Sequence, residues 1–123
     1  MRTGVLRAVG ATTAVYGLAV AARPGLLARP SGLVDEGGRV PGHTAVSLRP
    51  VGLRDAASGL ALVLAPRGPA LRTAAWVRMA ADFGDAALLG ATLPRRARAG
   101  AVAVSLAWGA VSLAALCTGP DAG

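Results

Sequence analysis

The stretch AGAVAVSLAWGAVSLAALCT, residues 99–118, decides the fold class. It carries no charge, and its twenty residues match the roughly 20 that a helix needs to cross a bilayer's hydrocarbon core. Ala101, Ser105, Gly109 and Ser112 recur at helical spacing, a small-residue face on which another helix can pack closely. Trp108 falls mid-segment, where packing against a neighbour suits it better than anchoring at an interface. A strand does not fit. The stretch lacks period-two alternation and β-branched enrichment, and lipid leaves no partner for open backbone groups. Gly119-Pro120 closes the segment.

Working outward, three more apolar segments precede it, at about 4–22, 51–65 and 71–93. The first holds an uncharged run from Ala8 to Ala22 between Arg7 and Arg23. Arg2 and Arg7 ahead of Ala19-Val20-Ala21 also have the form of a signal peptide with a small-residue cleavage site; the three later segments favour an uncleaved anchor. Pro50 suits the start of segment two, since a first-turn residue needs no N–H partner. Pro66 and Gly68 close that segment, Pro69 opens the next, and Pro94 closes segment three. Residues 23–49 form a polar loop dense in Pro and Gly, which break regular structure. Its Leu26, Leu27, Leu33 and Val34 allow two readings, a segment lying on the membrane surface with its Args towards phosphates or a plain connection. The expectation is one all-α domain over residues 1–123, a membrane-embedded four-helix bundle.

Composition agrees. Hydrophobic residues make up 54% of the 123-residue chain and charged residues 15%, against about 25% charged in an ordinary soluble domain. So small a soluble protein needs much polar surface. Aromatics are 3%, which leaves a water-soluble core to Ala, Val and Leu, and Ala buries little area. A soluble helical bundle is the weaker alternative. All thirteen basic residues are Arg, and the formal charge is +7. They flank apolar stretches without forming a dense patch or alternating with aromatics, so lipid headgroups are expected as partner and nucleic acid is not. Cys117 is the single cysteine and His43 the single histidine. Neither a disulfide nor a metal site can be built from them, and no cofactor is expected.

Five charges interrupt the apolar segments: Arg54, Asp55, Arg78, Asp82 and Asp85. Each costs about 2.5 to 3.5 kcal/mol at bilayer depth unless it pairs or snorkels. Arg78, Asp82 and Asp85 stand four and seven apart and share one narrow stripe. Leu71 and Leu89 extend that stripe, and Ala74, Ala75 and Ala81 border it. Trp76 and Phe83 point the other way, which suggests a polar stripe turned inward and aromatics turned to lipid. Arg54 shares a face with Ser58, Ala61 and Ala65, and Asp55 is turned about 100° away. A start at Pro50 would put both near a helix N-terminus, where the macrodipole favours a carboxylate and Arg54 can reach headgroups. These five carry one excess negative charge. Adding Arg7 from the first segment balances three Arg against three Asp, and a single neutral network across three segments is expected.

Gly52-Leu53-Arg54-Asp55 with Gly59, followed by Arg78, Asp82, Gly84 and Asp85 before a Pro-ended helix, resembles a family of small uncharacterised bacterial membrane proteins, actinobacterial in type, with about four predicted transmembrane helices. The pattern G-L-R-D then R-x-x-x-D-x-x-D covers mainly residues 50–93. The resemblance implies a membrane location and no particular activity. In size and layout alone the chain is similar to four-helix membrane proteins of the DoxX type, a group linked to oxidoreductase or thiol-related complexes; no motif carries that role over, and Cys117 alone cannot perform dithiol chemistry.

These observations lead to a multi-pass cell-membrane protein, structural or accessory, whose ion pairs fix helix register and which associates with itself or with another membrane protein. The alternative is a small transporter or a ligand- or proton-handling protein using the Arg–Asp network. Intramembrane catalysis is least supported, because no nucleophile–base pair, metal set or phosphate-binding glycine loop is present. Arg23, Arg29, Arg39, Arg49, Arg95, Arg96 and Arg98 lie at one end of the segments and Arg2, Arg7, Arg67 and Arg72 at the other. The positive-inside rule leans towards a cytoplasmic location for the former.

Overall fold

A computed structural model describes residues 1–118. The described residues are all-helical and form five helices: α1 (Thr3–Ala22), α2 (Gly25–Ala28), α3 (Gly42–Leu64), α4 (Pro69–Thr92) and α5 (Arg95–Cys117). Four are long and α2 is a single turn. Gly119 and Pro120, expected to close the last helix, lie outside the described residues. Among these helices, α1 and α5 are long and apolar enough to cross a membrane.

The largest departure from expectation concerns residues 23–49. They are not one loop, since α2 occupies part of them and α3 begins at Gly42. Pro50 therefore lies inside α3 and does not start it. Thr44, Ala45, Leu48 and Val51 are half-buried at helical spacing, and this continuous stripe carries the helix through the proline. Such a Pro forfeits one i→i−4 hydrogen bond and crowds the carbonyl of residue i−4; here both effects fall on an exposed face. His43, expected in a loop, sits exposed in the first turn of α3, where its carbonyl accepts a hydrogen bond from Ser47. Ala28 and Ser31 are buried, so the α2 region is folded onto the helix ends. Pro69 opens α4 as expected, behind Gly68 at φ 102°, a left-handed conformation that favours glycine.

The helices form two tight pairs, α1 with α3 and α4 with α5, joined into a ring by looser α1–α5 and α3–α4 contacts. The α1–α3 pair meets backbone to backbone. A Cβ on Gly10 would stand 2.6 Å from the Gly59 carbonyl oxygen, and one on Gly59 would stand 2.5 Å from that of Gly10. Gly17 and Gly52 meet the same way seven residues along, so the pair is antiparallel. Each helix also caps the other's C-terminus. Arg7 donates to the carbonyls of Leu62 and Val63 at 2.8 and 2.7 Å, and Arg49 donates to that of Ala21 at 3.3 Å. These are among the last-turn acceptors that a helix cannot satisfy internally. Both helices thus carry the same arrangement, an Arg, a Gly three residues on and a second Gly seven further.

In the α4–α5 pair, Phe83 packs on Gly109, where a Cβ would come within 2.7 Å of its ring. The expectation that Phe83 turns wholly to the outside is corrected accordingly, because the small-residue face of α5 receives its ring. Trp76 is 53% exposed, as its position opposite the polar stripe implies. Trp108 packs inward and donates from Nε1 to Thr13 Oγ1 at 2.9 Å, tying α5 to α1.

One end of the ring is filled. Met1, Leu6 and Val9 from the start of the chain, Leu62 from the end of α3, Leu71, Ala75 and Met79 from the start of α4, and Ala115 and Leu116 from the end of α5 form one apolar core. The other end is where the two helix pairs part.

Candidate functional site

At the edge of that core, beside Met79 in α4 and about one turn past Ala75, lies Arg78. Its side chain is 2% exposed. Nη2 donates to Asp82 Oδ1 at 2.7 Å, and Nη1 donates to Asp55 Oδ1 at 3.0 Å and to Ser58 Oγ at 2.8 Å. The four-residue spacing on α4 makes the first contact local; the other two fix α4 against α3. Arg54 extends the set from α3, donating from Nη2 to Asp85 Oδ2 at 2.8 Å and to Asp55 Oδ1 at 3.3 Å. Arg54 pairs with Asp85 while Ser58 pairs with Arg78, which is the register of an antiparallel pair. Exposure rises outward along the set, from Asp82 at 7% and Asp55 at 14% to Asp85 at 28% and Arg54 at 44%.

Of the residues singled out in the sequence, the structure brings Arg54, Asp55, Arg78, Asp82 and Asp85 together. It does not bring Arg7. The glycine pairing of α1 with α3 sets a register that leaves Arg7 beside Leu62 and Val63, at the far end of α3 from Arg54. The network therefore spans α3 and α4 alone and keeps one carboxylate in excess. Arg54 and Asp55 also lie further from a helix end than a start at Pro50 implies. Twelve residues precede Arg54 in α3, about 18 Å at 1.5 Å per residue, beyond the first turn in which a macrodipole acts.

Two polar atoms at the centre are buried without a hydrogen-bond partner, Arg78 Nε and Asp82 Oδ2. Native interiors leave few such atoms.

The network forms one wall of a cavity of about 670 Å³ between the two helix pairs. Thr12, Thr13 and Tyr16 contribute from α1, and Ala101, Val104, Ser105 and Trp108 from α5. Leu27, Pro30, Ser31 and Leu33 from the α2 region lie at its end. The volume is in the range of small-molecule sites, as is the mixture of apolar walls with a few convergent polar groups. Sequence reasoning found the charged wall and implied a polar cavity beside it only on the alternative, ligand-handling reading; the apolar walls were not foreseen. Among the described residues no group of His, Cys, Asp and Glu is arranged to hold a metal, and Cys117 is exposed at the end of α5.

Compared with models of protein families, with characterised proteins and with solved structures, the chain matches none.

Proposed function

We propose that this chain is a multi-pass protein of the cell membrane, a four-helix transmembrane bundle in which α2 is an appendage, and that its Arg–Asp network serves a cavity that binds a small molecule. Four long helices of 20 to 24 residues measure roughly 30 to 36 Å, enough for a hydrocarbon core of about 30 Å. Large apolar side chains that do not line the cavity cover the outside: Val15, Val46, Leu64 and Val77 are 71%, 68%, 73% and 57% exposed. Soluble monomers rarely present so much apolar surface together. Arg95, Arg96 and Arg98 fall in the first turn of α5, where a positive side chain opposes the macrodipole by about 0.3–1 kcal/mol. Anionic headgroups at that level would offset this cost. The resemblance carried by Gly52–Asp55 and Arg78–Asp85 agrees with this location and adds no activity.

The single observation that carries the ligand reading is the cavity walled by Arg78 and Asp82, with one atom of each lacking a partner. Ala101, half-buried on the opposite wall, gives the test. In mild detergent, native mass spectrometry should find a small molecule or lipid at about one per chain, lost in Ala101→Phe while circular dichroism stays unchanged. Equal occupancy in both proteins, or none in either, removes the reading. A second reading, a structural or accessory subunit, is favoured by one observation: Arg78 already joins α3 to α4 through Asp55 and Ser58, so the network fixes helix register with no ligand at all. It predicts the empty result and copurification with a protein partner.

A further inference from the structure

The cavity's charged wall has a sign. Among the described residues, the charged groups lining it are Arg54, Asp55, Arg78, Asp82 and Asp85, and one negative charge is unbalanced. The hydrogen-bonding pattern has the same bias. Arg78 spends Nη1 on two acceptors and Nη2 on a third, and Arg54 spends Nη2 on two carboxylates. An incoming anion would compete with Asp55 and Asp82 for the buried Arg78 and with Asp55 and Asp85 for Arg54 Nη2. An incoming cation meets Asp85, whose side chain is 28% exposed, with the buried Asp82, whose Oδ2 accepts no hydrogen bond, in the same wall. The basic residues at this end of the molecule, Arg23, Arg29, Arg39, Arg49, Arg95, Arg96 and Arg98, do not line the cavity. All but the half-buried Arg98, which donates to the Leu93 carbonyl at 3.0 Å, are exposed and are screened over about 8–10 Å, so the lining groups set the preference. Away from the network the walls are Leu27, Leu33, Leu48, Leu88, Val104 and Trp108, surfaces that reward an apolar body.

We infer that the cavity takes an organic monocation, a protonated amine on an apolar body, with the ammonium beside Asp85, at the accessible edge of the network, and the body against Trp108 and the leucines. This rests on the ligand-binding reading above and names its substrate class. Arg78 also keeps unpaired N–H groups, the buried Nε among them, and a neutral hydroxyl is the ligand group that would serve a donor, so the test includes an alcohol.

Three probes of similar shape separate the possibilities: phenylbutylammonium, phenylbutanol and phenylpentanoate, titrated calorimetrically into the full chain in lipid nanodiscs against empty discs. The amine should bind at least about tenfold more tightly than either analogue, a modest expectation for one unbalanced charge a few ångström away at an effective dielectric near 20. Asp85→Asn, which balances the wall, should bring the amine down to the level of the alcohol. Arg54→Gln, which adds a second unbalanced negative charge, should raise its preference severalfold. Arg54 is half-exposed, so Arg54→Gln decides the matter should Asp85→Asn fail to fold. If the alcohol or the carboxylate binds as tightly as the amine, or if the preference is unmoved in the folded variants, the cationic assignment is overturned and the cavity reading stands. If none of the three binds and Ala101→Phe alters no bound species, both fall.

Discussion

Gly17→Leu separates α1 from α3 and costs the fold about 3 kcal/mol or more, the upper range for overpacking a tight interface. A side chain there has no space, because the Gly52 carbonyl and the Ala56 amide of the facing helix already occupy it. The reciprocal position is as closed. A Cβ on Gly52 would lie 2.5 Å from the Gly17 carbonyl oxygen and 2.6 Å from the Ala21 nitrogen, well inside the roughly 3.5–4.0 Å of ordinary carbon contact. The obstacles are backbone atoms, so no rotamer change relieves them and the helices must move apart. That motion would also draw Arg7 and Arg49 from the carbonyls they cap. Gly84→Ala is the matched control. It lies mid-helix in α4 with nothing within 4 Å of its added carbon, and should stabilise by up to about 1 kcal/mol through helix propensity. Thermal unfolding in detergent, followed by circular dichroism, compares the two. Equal tolerance of both substitutions would show that the α1–α3 approach is looser than described.

Arg78→Gln should be the most damaging change at the network, at about 3–5 kcal/mol, the usual cost of breaking a buried ion pair. Arg78 and Asp82 are 2% and 7% exposed, so solvent screening offers little relief, and the loss strips Asp55 and Ser58 of the same donor. Asp82→Asn should cost less, because Arg78 keeps Asp55. The informative quantity is the double variant Arg78→Gln/Asp82→Asn. The carboxylate that Arg78→Gln alone leaves unpaired is absent there, so the double variant should be more stable than the sum of the singles implies by about 1–3 kcal/mol, the coupling typical of residues in one network. Additive losses would mean that the two side chains do not depend on each other.

The sequence made some of this visible and hid the rest for identifiable reasons. Residues on one helix are related by the 3.6-residue repeat, so the shared stripe of Arg78, Asp82 and Asp85 could be read directly. The register between helices obeys no such rule. Arg7 was assigned to the network on charge balance, yet its partners follow from how α1 slides along α3, and Gly10–Gly59 and Gly17–Gly52 set that slide. A signal did exist. Arg7, Gly10 and Gly17 repeat the spacing of Arg49, Gly52 and Gly59, a pattern expected of two helices packed antiparallel on small residues. The start of α3 was hidden by Pro50, whose local preference for a first turn is overridden by the stripe of Ala45, Leu48 and Val51. The cavity's size and apolar walls could not be read, though the ligand-handling alternative implies a polar cavity at the network. It is a gap between two helix pairs, one closed by glycines and the other by Phe83 on Gly109, and it exists because the side chains between the pairs do not fill it.

These elements support one another on a single condition, that hydrocarbon surrounds the outer faces. In water, Val15, Val46, Leu64 and Val77 would stand unfavourably exposed, and a small helical protein with this little polar surface would have poor means to stay dispersed. The direct measurement is fractionation of the full-length chain after detergent-free lysis and an alkaline carbonate wash. The account predicts that it stays in the membrane pellet and is released, helical and monodisperse, only by detergent. A folded, monodisperse chain in the supernatant would contradict it.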